Sequence, residues 1–176
     1  MPDRPLDRAS ITEAFDELSQ VLAQRGIEAR LFVVGGAAIT LAYGQRRMTR
    51  DVDAIFEPKE AVYVAAREVA DSRGLPDDWL NDAAKGFAPG PDPNQRVVFR
   101  TQNLEVAVAS PEYLLAMKLL ASRADQDVDD IRLLYSLLGY TTAEEGMDLI
   151  ERYYPRGQLQ PRIQFLLEEM FGPSHQ

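Results

Sequence analysis

Apolar residues recur at helical spacing near the start of the chain. The residues that share this face are Ala14, Phe15, Leu18, Val21 and Leu22. A spacing of three and four positions places such residues on one side of an α-helix. Residues 10–13, Ser-Ile-Thr-Glu, have the form of a capping box, and Gly26 is a typical stop signal. The pattern therefore predicts an amphipathic first helix that begins near Ser10 and ends before Gly26.

Two short apolar runs predict buried strands. The first, LFVV, leads directly into Gly35 and Gly36, as a strand does when it ends in a tight turn. A short helix over residues 37–43 would follow, ended by Gly44. The second run, DVDAIF, begins at Asp51 and has the length and apolar content of a strand beside the first.

The rest of the chain predicts further helices and a hairpin. Pro58 opens a helix that extends to about Arg73, since proline is tolerated at the first helical position. Asp77 is expected to cap a short helix carrying Trp79 and Leu80, and the proline-rich residues 86–95 form a loop. Residues 96–101 and 104–109 predict a hairpin. Beyond residue 110 the pattern predicts helices near 111–122, 125–138, 142–154 and 161–171.

This order of elements indicates an α/β (α+β) fold. A small mixed β-sheet would be flanked by helices, with a C-terminal helical layer. With 176 residues and 45% apolar residues, the chain can bury an ordinary core. We expect a core over residues 1–110 and a C-terminal helical region over residues 111–176 that packs on it, effectively one compact domain.

Composition narrows the functional classes. The chain has no cysteine, which excludes disulfides and cysteine nucleophiles, and its first ten residues have no apolar segment. We therefore expect a cytoplasmic protein without membrane partners. The net charge of -9 repels polyanions, so any contact with nucleic acid must be local. The single histidine, His175, is next to the last residue, which argues against a histidine base.

The strongest candidate chemistry is an acidic pair beside a glycine turn. Asp51 and Asp53 are two apart on a predicted strand, so both carboxylates should project from one face while Val52 faces the core. Two such anions become useful when a hard divalent cation lies between them and a polyphosphate. Gly35 and Gly36 would let backbone amides approach phosphate oxygens closely.

A local positive patch precedes the acidic pair. Arg46, Arg47 and Arg50 fall within five residues of an otherwise acidic chain. Guanidinium groups match the geometry of phosphate oxygens, so Arg47 is a candidate ligand for a phosphate tail. Thr49 is expected to add a hydroxyl contact.

These motifs resemble a known superfamily. The segment VVGGAAITLAYGQRRMTRDVDAIF looks like the signature of the DNA polymerase beta-like nucleotidyltransferases. The order of arginine, Thr49 and D-x-D is similar to that of AbiEii-type minimal nucleotidyltransferases, which occur as toxins in bacterial toxin–antitoxin systems. The resemblance covers residues 30–138. It implies a nucleotidyltransferase core, a nucleoside triphosphate as substrate, and Mg²⁺ or Mn²⁺ held by Asp51 and Asp53.

Such enzymes commonly carry a third acidic residue on a neighbouring strand. The resemblance makes Glu105, in the segment LEVAVA, the candidate for this metal ligand or for a base. Its strand parity groups it with Ala107 and Ala109, opposite Leu104 and Val106, so it is able to face the metals. A solvated charge at a sheet edge is the alternative interpretation.

A later motif also resembles the AbiEii relatives. The segment LLAMKLLASRADQDVDDIRLL places a lysine on one helix and an Arg-x-x-x-Asp-x-x-Asp run at the start of the next. The matching residues are Lys118, Arg123, Asp127 and Asp130. The resemblance implies that Lys118 reaches the triphosphate, with Asp127 or Asp130 orienting it. The alternative is a lysine that extends to solvent beside carboxylates at a helix start.

The sequence thus predicts a metal-dependent nucleotidyltransferase that moves a nucleoside monophosphate to a macromolecular acceptor. By resemblance the acceptor is a tRNA 3′ end or a protein, and the chain is a toxin with a cognate antitoxin. The alternative is a non-catalytic module of the same fold that binds a nucleotide or a partner protein.

Overall fold

The helices lie close to their predicted positions. The computed structural model describes residues 4–44, 47–121, 123 and 126–172. The α-helices are α1 (Arg8–Gln24), α2 (Gly35–Ala38), α3 (Lys59–Arg73), α4 (Pro111–Ala121), α5 (Val128–Leu138), α6 (Ala143–Tyr153) and α7 (Pro161–Phe171). A π-helical turn, Ile39–Tyr43, continues α2, and short 3₁₀ turns cover Ala83–Phe87 and Arg156–Gln158.

Five strands form one mixed sheet. They are β1 (Ala29–Val33), β2 (Val52–Glu57), β3 (Leu80–Asn81), β4 (Arg96–Arg100) and β5 (Leu104–Val108), in the order β3-β2-β1-β5-β4. β1 is antiparallel to β2 and parallel to β5, β3 is parallel to β2, and β4 and β5 form the expected hairpin. The predicted α/β class with a small mixed sheet is confirmed.

Two local predictions were wrong. The first helix begins at Arg8, and its N-cap is Asp7, whose carboxylate accepts a hydrogen bond from the Ser10 amide at 2.7 Å. A carboxylate three residues before that amide caps the helix as well as a serine would. Trp79 and Leu80 do not lie on a helix, because Leu80 pairs with Val52 and extends the sheet.

One face of the sheet carries the core. The alternate β2 residues Val52, Ala54 and Phe56 are buried. They point towards the side on which α1 and α3 pack against each other and against the strands. Asp51, Asp53 and Ile55 on the opposite parity are only partly buried. This alternation is the one expected of a strand with a core face and an open face.

The chain divides into two compact units. The first contains Met1–Gly86 and Pro93–Ala109, and the second contains Phe87–Asp92 and Ser110–Gln176. Within the second unit α4 packs against α5 and α6, and α6 packs against α7. The buried Asp92 carboxylate accepts hydrogen bonds from the amide and hydroxyl of Ser110, which holds the segment 87–92 to the start of α4. Among the residues described, no helix combines the length and hydropathy needed to cross a bilayer.

Candidate functional site

The turn after β1 lies directly beside the acidic pair. β1 and β2 are antiparallel with Val33 opposite Ala54, and the Val34 amide donates to the Asp53 carbonyl at 2.9 Å. Gly35, the next residue, has a φ of +64°. A residue with a side chain is strained in this left-handed conformation, so glycine is the natural choice where β1 turns into α2.

Both glycines of the turn face residues of the predicted site. A Cβ atom on Gly35 would lie 3.5 Å from Oδ2 of Asp53, and a Cβ on Gly36 would lie 3.3 Å from Oγ1 of Thr49. The first amides of a helix have no acceptor within it, so those at the start of α2 need an acceptor from outside the helix. The structure thus brings Gly35, Gly36, Thr49 and Asp53 together, as the sequence predicted.

Asp51 lies on the same face, next to the end of β3. Oδ2 of Asp51 accepts a hydrogen bond from Nδ2 of Asn81 at 3.4 Å. Burial raises the pKa of Asp51 above its ordinary value, and the negative charge of Asp78 adds to the increase. The Asn81 hydrogen bond and the positive charge of Arg50 oppose this shift. A cation close to Asp51 would therefore stabilise the charged form of its carboxylate.

Thr49 organises the chain just before the acidic pair. Its hydroxyl donates to the Asp51 carbonyl at 3.0 Å, and its backbone exchanges two hydrogen bonds with Leu6. Because the hydroxyl proton is used within the protein, Thr49 shapes the turn in this arrangement and offers a phosphate no proton.

The basic patch is only partly described. Arg46 lies outside the described residues. The aliphatic part of the Arg47 side chain packs so closely on Gly44 that a Cβ there would be 2.7 Å from Cδ of Arg47. Arg50 is close enough to Asp51 to lower its pKa. Of these two described arginines, Arg50 therefore lies near the acidic pair, whereas Arg47 packs on the end of the π-helical turn.

A further arginine near this end of the sheet was missed by the sequence analysis. The Arg96 guanidinium lies 5.5 Å from the ring centroid of Tyr43 and donates to the Ala42 carbonyl at 3.2 Å. The Tyr43 hydroxyl in turn donates to the Ala109 carbonyl at 2.9 Å. Nothing in the sequence marks this arginine, since its place depends on the pairing of β4 with β5.

Glu105 does not join the acidic pair. The register puts Glu105 level with Arg30 of β1, whereas Asp53 is level with Val34, four residues further along. At about 3.3 Å per residue this separates them by roughly 13 Å along the strand. Glu105 also forms an ion pair with Arg100, at 2.8 Å between Oε2 and Nη2. Strand parity puts Glu105 on the same face as Ala107, but it does not determine which end of the strand a residue occupies.

The β5 positions nearer the acidic pair on that face are Ala107 and Ala109, both buried. A groove of about 840 Å³ does occur in the first unit, but its lining includes Arg30, Glu57 and Glu105 and excludes Asp51 and Asp53. It therefore lies at the opposite end of the strands. The residues suited to binding metal and phosphate are at the glycine turn and not in this groove.

Lys118, Asp127 and Asp130 form a cluster in the second unit. Nζ of Lys118 lies 2.7 Å from Oδ1 of Asp127 and 2.9 Å from Oδ2 of Asp130. Asp127 also accepts a hydrogen bond from the Arg123 amide through its other oxygen. Burial alone would lower the pKa of Lys118, but the two carboxylates outweigh it, so the pKa is raised. These contacts provide the partner that a half-buried lysine requires.

The donor set at the glycine turn fits Mg²⁺. Mg²⁺ is commonly held by one or two carboxylates, while water and substrate phosphates complete its octahedron. Asp51 and Asp53 offer hard oxygen ligands from one strand face. Within the described ranges no group of three or more His, Cys, Asp or Glu side chains is arranged to hold a metal. The pair therefore suits an ion that takes its remaining ligands from a triphosphate.

Comparison with known proteins identifies the family at a coarse level. Searches of curated proteins and of solved structures gave no match. A family model described as a nucleotidyltransferase of unknown function (DUF6036) matches residues 9–137, which include the glycine turn, the acidic pair and the Lys118 cluster. The match covers well over half of this chain, so the chain belongs to that nucleotidyltransferase family.

Proposed function

We propose that this protein transfers a nucleoside monophosphate from a nucleoside triphosphate to a macromolecular acceptor and depends on a divalent metal. The observation that carries the proposal is the position of Asp53 beside Gly35, with Asp51 two residues earlier in contact with Asn81 of β3. This arrangement supports the proposal, because carboxylates are ligands that Mg²⁺ accepts and backbone amides at a helix start suit phosphate oxygens.

Each group at the turn has a part in this reaction. Asp51 and Asp53 would hold the metal, the amides at Gly35 and Gly36 would bind the phosphate tail, and Arg47 would add positive charge. When bound, Mg²⁺ would neutralise the phosphates and ease in-line attack at the α-phosphorus. An acceptor oxygen forms a bond to that phosphorus, the bond to the bridging oxygen breaks, pyrophosphate leaves, and the acceptor proton passes to water.

The acceptor is proposed from the resemblance to AbiEii-type toxins. It is a tRNA 3′ end or a protein, and the chain acts as a toxin that a cognate antitoxin restrains. The net charge of -9 favours an acceptor recognised by a local surface over one drawn in by the overall field. Arg50 provides positive charge near Asp51, and Arg96 lies at the same end of the sheet.

The test is labelling with matched variants. Purified protein is incubated with Mg²⁺, each α-labelled nucleoside triphosphate, and total tRNA or lysate protein. We expect label on one acceptor class, reduced more than about 100-fold in Asp53→Asn, because loss of a direct ligand should exceed the cost of losing an outer-shell partner. Glu105→Gln is the matched carboxylate control and should retain transfer. Growth arrest on expression, absent in Asp53→Asn, tests the toxin role.

A second candidate is a non-catalytic module that binds a nucleotide or a partner protein. The observation that favours it is the separation of Glu105 from the acidic pair, with Ala107 and Ala109 at the nearer positions of β5. This candidate predicts tight triphosphate binding without label transfer to any acceptor. Transfer that requires Asp53 would exclude it.

A further inference from the structure

The segment that follows α3 brings a polar side chain to the acidic pair. β3 consists of Leu80 and Asn81, which pair in parallel with Val52 and Asp53 of β2. The Val52 amide also donates to the Trp79 carbonyl at 2.6 Å. Backbone pairing therefore holds Asn81 beside the strand that carries both aspartates.

Side chains on both sides of Asn81 attach this segment to α3. Trp79 is fully buried, and its indole N–H donates to the Ala66 carbonyl at 2.8 Å. Asp82 accepts a 2.5 Å hydrogen bond from the Tyr63 hydroxyl and pairs with Lys59 at 2.9 Å. Because Trp79 and Asp82 are both anchored, Leu80 and Asn81 between them are held in place.

The hydrogen bonds of Asn81 determine which way its amide points. Its Oδ1 accepts from the Ala83 amide at 3.1 Å, which requires the oxygen on that side. The NH₂ group is thereby turned towards Oδ2 of Asp51 at 3.4 Å and the Asp78 carbonyl at 3.3 Å. The contact to Asp51 is long for a hydrogen bond, and it is the kind of contact that tightens when a ligand draws the carboxylate into place.

We propose that Asn81 is a positioning residue that orients the Asp51 carboxylate for metal and triphosphate. By holding one oxygen of Asp51, the amide leaves the other oxygen directed to the cation, as outer-shell partners of metal-binding carboxylates do. This inference rests on the proposed function, because it concerns the same metal site.

Asn81→Ser isolates the proposed role. A serine hydroxyl can still accept from the amide two residues on, as in an ST-turn, but it is too short to reach Asp51. We expect the dissociation constant of Mn²⁺ alone, followed by electron paramagnetic resonance, to rise about 10–100-fold. The Mg²⁺ concentration for half-maximal transfer should rise with it, while the triphosphate KM at saturating Mg²⁺ changes less. Unchanged Mn²⁺ binding in Asn81→Ser overturns the inference.

Tyr63→Phe and Asp53→Asn complete the experiment. Tyr63→Phe loosens the same segment at Asp82 without removing a contact to Asp51, so its Mn²⁺ binding should match the wild-type protein. Equal weakening in Tyr63→Phe and Asn81→Ser overturns the specific role of the amide. Asp53→Asn distinguishes a failure of the positioning role from a failure of the metal site. If Mn²⁺ binding is lost in Asp53→Asn but kept in Asn81→Ser, only the positioning role of Asn81 is overturned. Wild-type protein that binds no Mn²⁺ even with a triphosphate present, or binding that Asp53→Asn leaves intact, overturns the metal site itself.

Discussion

Gly35 and Asp53 meet so closely that a Cβ atom on Gly35 would lie 3.5 Å from Oδ2 of Asp53. This is an ordinary van der Waals separation, so space alone would admit alanine. The backbone is the stronger constraint, because Gly35 has a φ of +64°. The turn that brings β1 to the acidic pair therefore depends on the conformational freedom of glycine.

Gly35→Ala is expected to lower the free energy of unfolding by about 1–2 kcal/mol, the cost of a left-handed conformation for a residue with a side chain. Gly36→Ala is the matched control, because Gly36 has no positive φ and its added Cβ would meet the Thr49 side chain, with Oγ1 at 3.3 Å and Cβ at 3.9 Å. Urea unfolding followed by circular dichroism measures both. Equal losses in the two variants would show that backbone strain at Gly35 is not the cause.

Glu105→Gln is expected to leave metal-dependent transfer unchanged. Glu105 pairs with Arg100 and lies four residues along the strand from the level of Asp53. Loss of the ion pair between Glu105 and Arg100 should lower the free energy of unfolding by less than about 1 kcal/mol, as for other exposed ion pairs. Initial rates at limiting Mg²⁺ provide the check, since they are sensitive to a lost ligand. A marked decrease in rate would restore Glu105 as a metal ligand or base.

Lys118→Met is expected to destabilise the protein by about 2 kcal/mol. This lies between the values for exposed ion pairs and for buried pairs that lose one partner. Asp127 and Asp130, with side chains 15% and 14% exposed, would then lose their ion pairs with Lys118. Urea unfolding measures the loss. The control is Arg156→Met, which breaks an ion pair whose arginine side chain is 84% exposed and should cost less than about 1 kcal/mol.

The same variant distinguishes the two interpretations of Lys118. If the lysine serves only the cluster with Asp127 and Asp130, transfer at a temperature where Lys118→Met remains folded should keep the wild-type triphosphate KM. A KM that rises in Lys118→Met but not in Arg156→Met would support contact with the triphosphate, as the resemblance to AbiEii-type enzymes implies.

Asp82 should contribute stability that depends on acid pH. Hydrogen bonds from Tyr63 and Lys59 hold the pKa of Asp82 below its ordinary value of 3.8. A carboxyl with a lowered folded-state pKa stabilises the protein above its unfolded pKa, and this contribution disappears as the pH falls through the folded value. Asp82→Asn should therefore be less stable than the wild-type protein near neutral pH. The difference should narrow well below pH 3.8.

Urea unfolding of both proteins across this range provides the measurement. A stability difference that stays constant down to the lowest pH would mean that the Asp82 charge adds nothing beyond its hydrogen bonds. Tyr63→Phe serves as a companion variant, because it removes the strongest cause of the lowered pKa and should weaken the pH dependence.

The sequence by itself determined the features that depend on nearest neighbours. Residues two apart on a strand share a face, and the partly buried Asp51 and Asp53 alternate with the buried Val52, as this local pattern predicts. The end of β1 at Gly35, the hairpin of β4 and β5 and the C-terminal helices also follow from local patterns of apolar residues and turn formers. These are short-range consequences of backbone geometry.

Only the tertiary structure decided which residues from other segments reach the acidic pair. Strand parity allowed Glu105 to face the metals, but the register of β5 against β1 placed it near the far end, beside Arg100. Asn81, thirty positions from Asp51 in the chain, reaches it because β3 pairs with β2. An alternating pattern of apolar and polar residues determines which face of the sheet a side chain lies on. It does not determine how far along the strand that side chain lies. Strand order and register come from packing across the whole sheet.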